Sequence, residues 1–152
     1  MKGFTFARLR PADARAVQAF VRALSLESRR ERFFSPIAEL SPAQLARVVS
    51  SPGLSLAAWR EGRIVGLAQY ALGDGPAEFA VVVGEEWRGL GLGETLVGLL
   101  IADARRAGVR TLGGLTMERN RPMRRLAAKL GFVQKPDTDP DLVHMEQVLA
   151  GA

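Results

Sequence analysis

The sequence has no cysteine and a single histidine, His144. The first absence excludes disulfides, thiolate metal sites and a cysteine nucleophile. The second excludes a multi-histidine metal site and leaves almost no room for a serine–histidine–aspartate triad. Tyrosine is also single, Tyr70, so phenolic proton donors are scarce. Lysine is nearly missing: Lys2, Lys129 and Lys135 are the only lysines among 21 basic residues, and the rest are arginine. No long apolar run exists. The longest, LVGLLIA at 96–102, falls far short of the ~20 residues that span a bilayer. The N-terminus reaches Arg8, Arg10 and Pro11 before a signal-peptide core could form. The expectation is a soluble, cytoplasmic protein without membrane contact.

What is present describes one folded domain over 1–152, with 47% hydrophobic and 24% charged residues. The net charge of +5 is unevenly spread. Within 105–129 eight basic residues face one acid, Glu118. Such a cluster suits a polyanionic ligand, and arginine grips phosphate bidentately. The plain alternative is a solvated helix face.

Along the chain, alternation over 4–10 reads as a strand, and Pro11 opens a helix with a stripe of Ala16, Val17, Phe20, Val21 and Leu24. A second helix runs over 25–34 with a charged face. Ser41-Pro42 starts a third, ended by Ser51-Pro52-Gly53. Residues 54–60 and 64–72 form a hairpin about Glu61-Gly62-Arg63, and 77–83 is a further strand. A helix over 92–107, a strand over 110–117, a helix over 120–130, a short extended stretch and a last strand over 142–149 follow. The fold class is mixed α/β with one sheet.

The most informative segment is Arg88-Gly89-Leu90-Gly91-Leu92-Gly93, between a strong strand and a strong helix. Glycines there let backbone N–H groups converge on a phosphate, and the helix adds the positive end of its dipole. Neither the dinucleotide pattern nor the P-loop pattern fits: Glu94 stands where the former needs glycine, and no Gly-Lys-Ser/Thr follows.

What remains is Arg88-x-x-Gly91-x-Gly93 after a valine-rich strand. It resembles the acyl-CoA pyrophosphate loop of the GNAT N-acetyltransferase superfamily. A second stretch, Asn120 through Gly131-Phe132, resembles that family's downstream signature, roughly 30 residues further on. More narrowly, Phe4–Asp13, Ser25–Phe34 and Ala77–Val83 look like the acetyltransferase domain of Pat-type protein lysine acetyltransferases. The resemblance implies a mixed, mostly antiparallel sheet of six to seven strands, flanked by helices and splayed around the acyl-CoA. It implies acetyl-CoA as cosubstrate and no metal. The backbone amides of Arg88, Gly89, Leu90, Gly91, Leu92 and Gly93 would hold the pyrophosphate, with Thr95 as an extra hydroxyl. The backbone of Val81, Val82 and Val83 would pair with the pantetheine arm, and Asn120 would bond the same arm. Arg124 and Lys129 would meet the 3′-phosphate.

A lysine amine, with a pKa near about 10.4, must lose a proton before it attacks a thioester. Glu78 is the candidate general base, as is a glutamate in the matching Ala-Glu-Phe context of Pat-like enzymes. Partial burial between apolar neighbours is expected to raise its pKa. Glu85 and Glu86 are weaker alternatives. The tyrosine that many GNAT enzymes use as general acid is replaced by Ala127. Tyr70 and His144 read as structural and Trp87 as a packing anchor. Trp59, Phe20, Phe33 and Phe34 read as core or cleft lining. Arg29, Arg30 and Arg32 are candidates for guiding an acceptor.

The reading is an acetyl-CoA-dependent N-acetyltransferase that acts on protein lysines by direct attack. An acyl-CoA synthetase or a nucleic-acid-associated protein is the acceptor that the resemblance implies. The alternatives are a small-molecule amine acetyltransferase and a non-catalytic acyl-CoA sensor. The basic residues lack interleaved aromatics, which argues against direct nucleic-acid binding. A monomer or a homodimer fits equally.

Overall fold

A computed structural model describes residues 1–50 and 52–149. Ser51, expected to begin the turn before the hairpin, lies outside them. The elements follow the sequence pattern closely. They are β1 (Thr5–Arg8), α1 (Ala14–Ala23, after a single 3-10 turn at Pro11–Asp13), α2 (Leu26–Phe33) and α3 (Pro42–Ser50). Then come β2 (Gly53–Arg60), β3 (Arg63–Ala71), β4 (Ala77–Val83) and α4 (Leu92–Arg106). The chain continues with β5 (Thr111–Met117), α5 (Arg121–Lys129), β6 (Val133–Pro136) and β7 (Leu142–Val148).

Local chemistry explains the boundaries. Ser25 caps α2 by accepting from the Ser28 backbone N–H at 3.1 Å. Ser41 and Gln44 form a reciprocal capping box at the start of α3, at 3.2 and 2.8 Å. The β2–β3 hairpin turns through Glu61 and Gly62, both at positive φ, the twist that a two-residue hairpin favours. Gly108 and Gly131, at φ 79° and 93°, follow α4 and α5 as left-handed stops.

The seven strands form one sheet in the order β1-β2-β3-β4-β5-β7-β6. Every neighbouring pair is antiparallel except β4 and β5. The expectation of a mixed, mostly antiparallel sheet of six to seven strands is met at seven. The strands carry apolar residues on both faces, so both faces need cover. On one face α4 and α5 bury Leu92, Leu96, Leu100 and Ala127 with Phe79 and Phe132. On the other, α1 and α3 bury Val17, Phe20, Val21 and Val48 against Leu67 and Val82. No helix among the described residues is long and apolar enough to cross a membrane.

Candidate active site

The site begins with a fault in the sheet. β4 and β5 run parallel and pair only at Ala77↔Leu112 and Glu78↔Gly113. Beyond Glu78 the two strands part, while β4 stays paired with β3 as far as Val83↔Gly66. One edge of Phe79–Val83 is therefore left open. Tight packing accompanies this divergence. The Phe79 ring stacks on Phe132 at 4.8 Å between centroids and lies against Gly114 of β5. A Cβ at position 114 would come within 2.7 Å of that ring. Glu78 is the last paired residue, at the vertex of the parting strands. It is exposed there, so the partial burial expected of its carboxylate is absent.

The glycine loop closes the wide end. Gly89 and Gly91 hold φ of 80° and 89°, where an L side chain is strained. Gly91 caps α4 in the left-handed region. Buried Leu92 pins the loop to the core, and Gly93 lets the first turn approach Leu126, whose Cδ2 would lie 3.3 Å from a Cβ there. Thr95 is the first residue of this stretch whose backbone N–H is bonded, to the Gly91 carbonyl at 3.0 Å. The amides before it lie at a helix N-terminus with its partial positive charge.

A cavity of about 860 Å³ runs along the parted strands. It brings together Glu78, Val81, Val82, Val83, Arg88, Gly89, Gly91, Leu92, Gly93 and Asn120 from the sequence reading. Asn120 caps α5 by accepting from the Met123 N–H at 3.3 Å, and its side-chain amide N–H groups remain available to donate. The Arg88 guanidinium turns back from the loop. It donates to the Val83 carbonyl at 3.0 Å and to Ser28 Oγ at 2.8 Å.

Four expected cofactor residues stand outside this cavity. Leu90 and Thr95 border a separate shallow depression, and the Thr95 hydroxyl donates to the Gly91 carbonyl at 3.0 Å. Arg124 is held by Gln134, at 3.0 Å, and by the Glu118 carbonyl and carboxylate, at 3.1 and 3.3 Å. It ties α5 to β6 and to the end of β5. Lys129 pairs with Glu94 at 3.0 Å, joining α5 to α4. Two members of the basic cluster, Arg124 and Lys129, thus tie elements together.

The other end of the cavity joins residues that sequence reasoning named, Glu78, Arg32 and Phe33, to ones it missed, among them Gln69, Glu31, Gln44 and Arg47. Its floor is Gln69, Ala71, Glu78 and Ala80; its walls are α2, with Glu31, Arg32 and Phe33, and α3, with Gln44 and Arg47. Helix α2 turns Ser28, Glu31 and Arg32 inward, and the i, i+3, i+4 spacing was the available signal. An inward helix face is ordinarily apolar; this one is polar because it faces a cavity. Burial, with Glu27 nearby, pushes the Glu31 carboxyl above its ordinary value, against the pull of Arg88 and Arg119. Burial lowers the Arg32 guanidinium to about 10. The three arginines grouped in the sequence therefore separate. Arg29 is bound to the Leu24 and Ile37 carbonyls, Arg30 is exposed away from the cavity, and Arg32 lines it.

Other candidates resolve by their partners. Burial pushes the Glu85 carboxyl up, but hydrogen bonds from Ser28 and Ser25 outweigh it and hold it at about 2. Glu85 accepts from the Ser25 N–H at 2.8 Å, so it anchors α2 and is a poor base. Tyr70 is 1% exposed and donates to Asp103 Oδ2 at 2.7 Å. Burial and that bond raise it to about 12. It belongs to the core, as does Ala127, on which no proton donor can sit. His144 lies on β7 between β5 and β6, away from the cavity. Trp87 packs edge-on against Phe4 at 5.9 Å and also lines the cavity.

Comparison with known proteins agrees with this architecture. The model of the acetyltransferase (GNAT) family matches residues 19–132. An acetyltransferase of Pseudomonas aeruginosa is 33% identical over 147 residues, covering 90% of this chain and 79% of that protein. Among solved structures, the GNAT domain of S. lividans PAT superposes with a TM-score of 0.88 at 25% identity, over 95% of this chain and 89% of that one. The Salmonella typhimurium protein yncA, solved with its cofactor acetyl-CoA, gives 0.78 at 23% identity, over 98% and 95%. The parted strands, the glycine loop and these matches together show that the chain belongs to the GNAT family of acetyl-CoA-dependent N-acetyltransferases.

Proposed function

We propose that this enzyme acetylates lysine ε-amines of proteins, with Glu78 as the general base. The observation that carries the reading is the parting of β4 and β5 immediately after Glu78. It leaves the carboxylate exposed at the vertex, facing the cavity where an amine can reach it.

The residues present fit acetyl-CoA. The open edge of Phe79–Val83 offers unpaired backbone groups to the amide-rich pantetheine arm, as an added strand would be received. The left-handed glycines and the N-terminus of α4 suit the pyrophosphate. The Asn120 side-chain amide would donate to the arm. Acetyl-CoA supplies an activated acetyl thioester. Glu78 accepts the proton of the incoming ammonium, directly or through a water, and frees the nitrogen lone pair for attack. A thiolate with a pKa near about 8.5 leaves without a dedicated acid, consistent with alanine at 127.

A protein acceptor is favoured by the mixed charge of the acceptor end, whose lining includes Arg32 and Arg47 as well as Glu31 and Glu78. A small polycation would be better served by acids alone. The likeness to the GNAT domain of S. lividans PAT adds support. The test is turnover of acetyl-CoA on lysine-bearing proteins and peptides against a panel of small amines. Turnover confined to small amines would refute the protein-lysine reading.

A further inference from the structure

Arg32 has an unusual position. It lies on the inward face of α2, half-buried in the wall of the acceptor end. Its guanidinium lies over the Phe33 ring, 4.7 Å from the centroid, a cation–π contact that brings no counter-charge. Among the described residues it takes part in no ion pair and donates no hydrogen bond, unlike Arg22, Arg29, Arg88, Arg119 and Arg124. Desolvation alone accounts for its lowered pKa, with no neighbouring carboxylate opposing it. Glu31 is its neighbour in sequence, yet the charges that act on Glu31 are Glu27, Arg88, Arg119 and Glu85. A desolvated cation without a counter-ion is costly, and an incoming anion relieves that cost. A second arginine, Arg47 of α3, lines the same cavity.

We infer that the acceptor end is built for an amine that travels with a carboxylate: the amine goes to Glu78, and the carboxylate goes to Arg32 with Arg47 beside it. The amine site rests on the proposed role of Glu78; the carboxylate site rests on Arg32 alone. The planar guanidinium fork matches a carboxylate bidentately, and the open wall beside Arg47 admits an acidic group from a larger molecule. Two sources could supply this chemistry. One is an acidic residue flanking the target lysine; the other is the carboxylate of a free amino acid.

The test uses matched pairs with wild-type enzyme and with the R32Q, R32K and R47Q variants. One series is a lysine peptide flanked by glutamate, and the same peptide flanked by glutamine. The other is 6-aminohexanoate and its amide. The expected result is a preference for the carboxylate member of about tenfold to a hundredfold in kcat/KM, the range of a charge-assisted hydrogen bond. R32Q should reduce the ratio to about one, R32K should restore part of it, and R47Q should reduce it less. Acetyl-CoA affinity, measured for each variant, separates this loss from misfolding. Preference in the small-molecule series alone supports the carboxylate site and refutes the protein-lysine reading. Turnover of lysine peptides at equal rates within each pair does the reverse. An R32Q enzyme that keeps the wild-type ratio, or absence of turnover in every series, overturns the inference.

Discussion

Three carboxylates near one cleft, Glu31, Glu78 and Glu85, are set apart by their surroundings. Glu78 is exposed at the strand vertex, whereas Glu85 is committed to the first turn of α2. Glu78→Gln should therefore lower kcat by about 10²–10⁴-fold without changing acetyl-CoA affinity. The deficit should narrow at high pH, where the acceptor amine loses its own proton; a deficit constant with pH would remove the base assignment. Glu85 makes a prediction of opposite kind. Its folded pKa of about 2 lies below the ordinary 4.5. It stabilises the fold above 4.5 and loses that contribution as pH falls toward 2. Wild type should thus be more stable than Glu85→Gln at neutral pH, with the gap closing across that acid range in denaturant titrations. The sequence ranks Glu78 first through its place in an apolar strand and the Ala-Glu-Phe context it shares with Pat-like enzymes; the partial burial expected to tune it does not form, because the cleft beside it is open. The sequence could not separate Glu85 from a solvated acid, because the partners Ser25 and Ser28 lie 60 and 57 positions away.

At the scale of elements, two glycine positions carry the site. Gly91 sits at φ 89° in the loop, and Gly91→Ala should cost about 1–2 kcal/mol of stability and weaken acetyl-CoA binding by misaligning the amides. Gly114→Ala acts from β5, on the face of the sheet that α4 covers. Its Cβ would clash with the Phe79 ring at 2.7 Å. Overpacking of this kind costs about 1–3 kcal/mol and should disturb the β4–β5 vertex. Calorimetric unfolding and acetyl-CoA titration of both variants check this; a Gly114→Ala enzyme with normal stability would mean that Phe79 does not set the divergence. The loop was legible as a phosphate cradle because glycine spacing between a strand and a helix is a local property. Gly114 was not, because its constraint comes from a ring on a strand remote in sequence. Helix α2 is legible in part: its arginines read as candidates for guiding an acceptor, but only the tertiary fold decides that Arg32, with Ser28 and Glu31, turns toward the cavity.

Across the whole molecule, the sheet is two halves, β1–β4 and β5–β7, joined by two residue pairs. Helix α2 straddles them. It holds the β4 side through Ser28 to Arg88 and Ser25 to Glu85, and the β5 side through Glu27 to Arg119 at 3.1 Å. The open edge of β4 should reveal itself in hydrogen exchange. Amides of 79–83 turned toward the gap should exchange fast without cofactor and slow when acetyl-CoA is added, while those bonded to β3 stay protected throughout. Unchanged exchange at saturating acetyl-CoA would refute the added-strand pairing of the pantetheine arm. The sequence by itself determined the element order, the strand-to-helix glycine loop and the absence of thiol or multi-histidine chemistry, since each depends on residue type and near-neighbour spacing. Only the tertiary structure decided where β4 and β5 part, that Arg124 and Lys129 serve as ties between elements, and that Arg32 lines the cavity without an ion pair among the described residues. Those outcomes depend on which distant side chains compete for the same space and the same charge, and that competition exists only once the chain has folded.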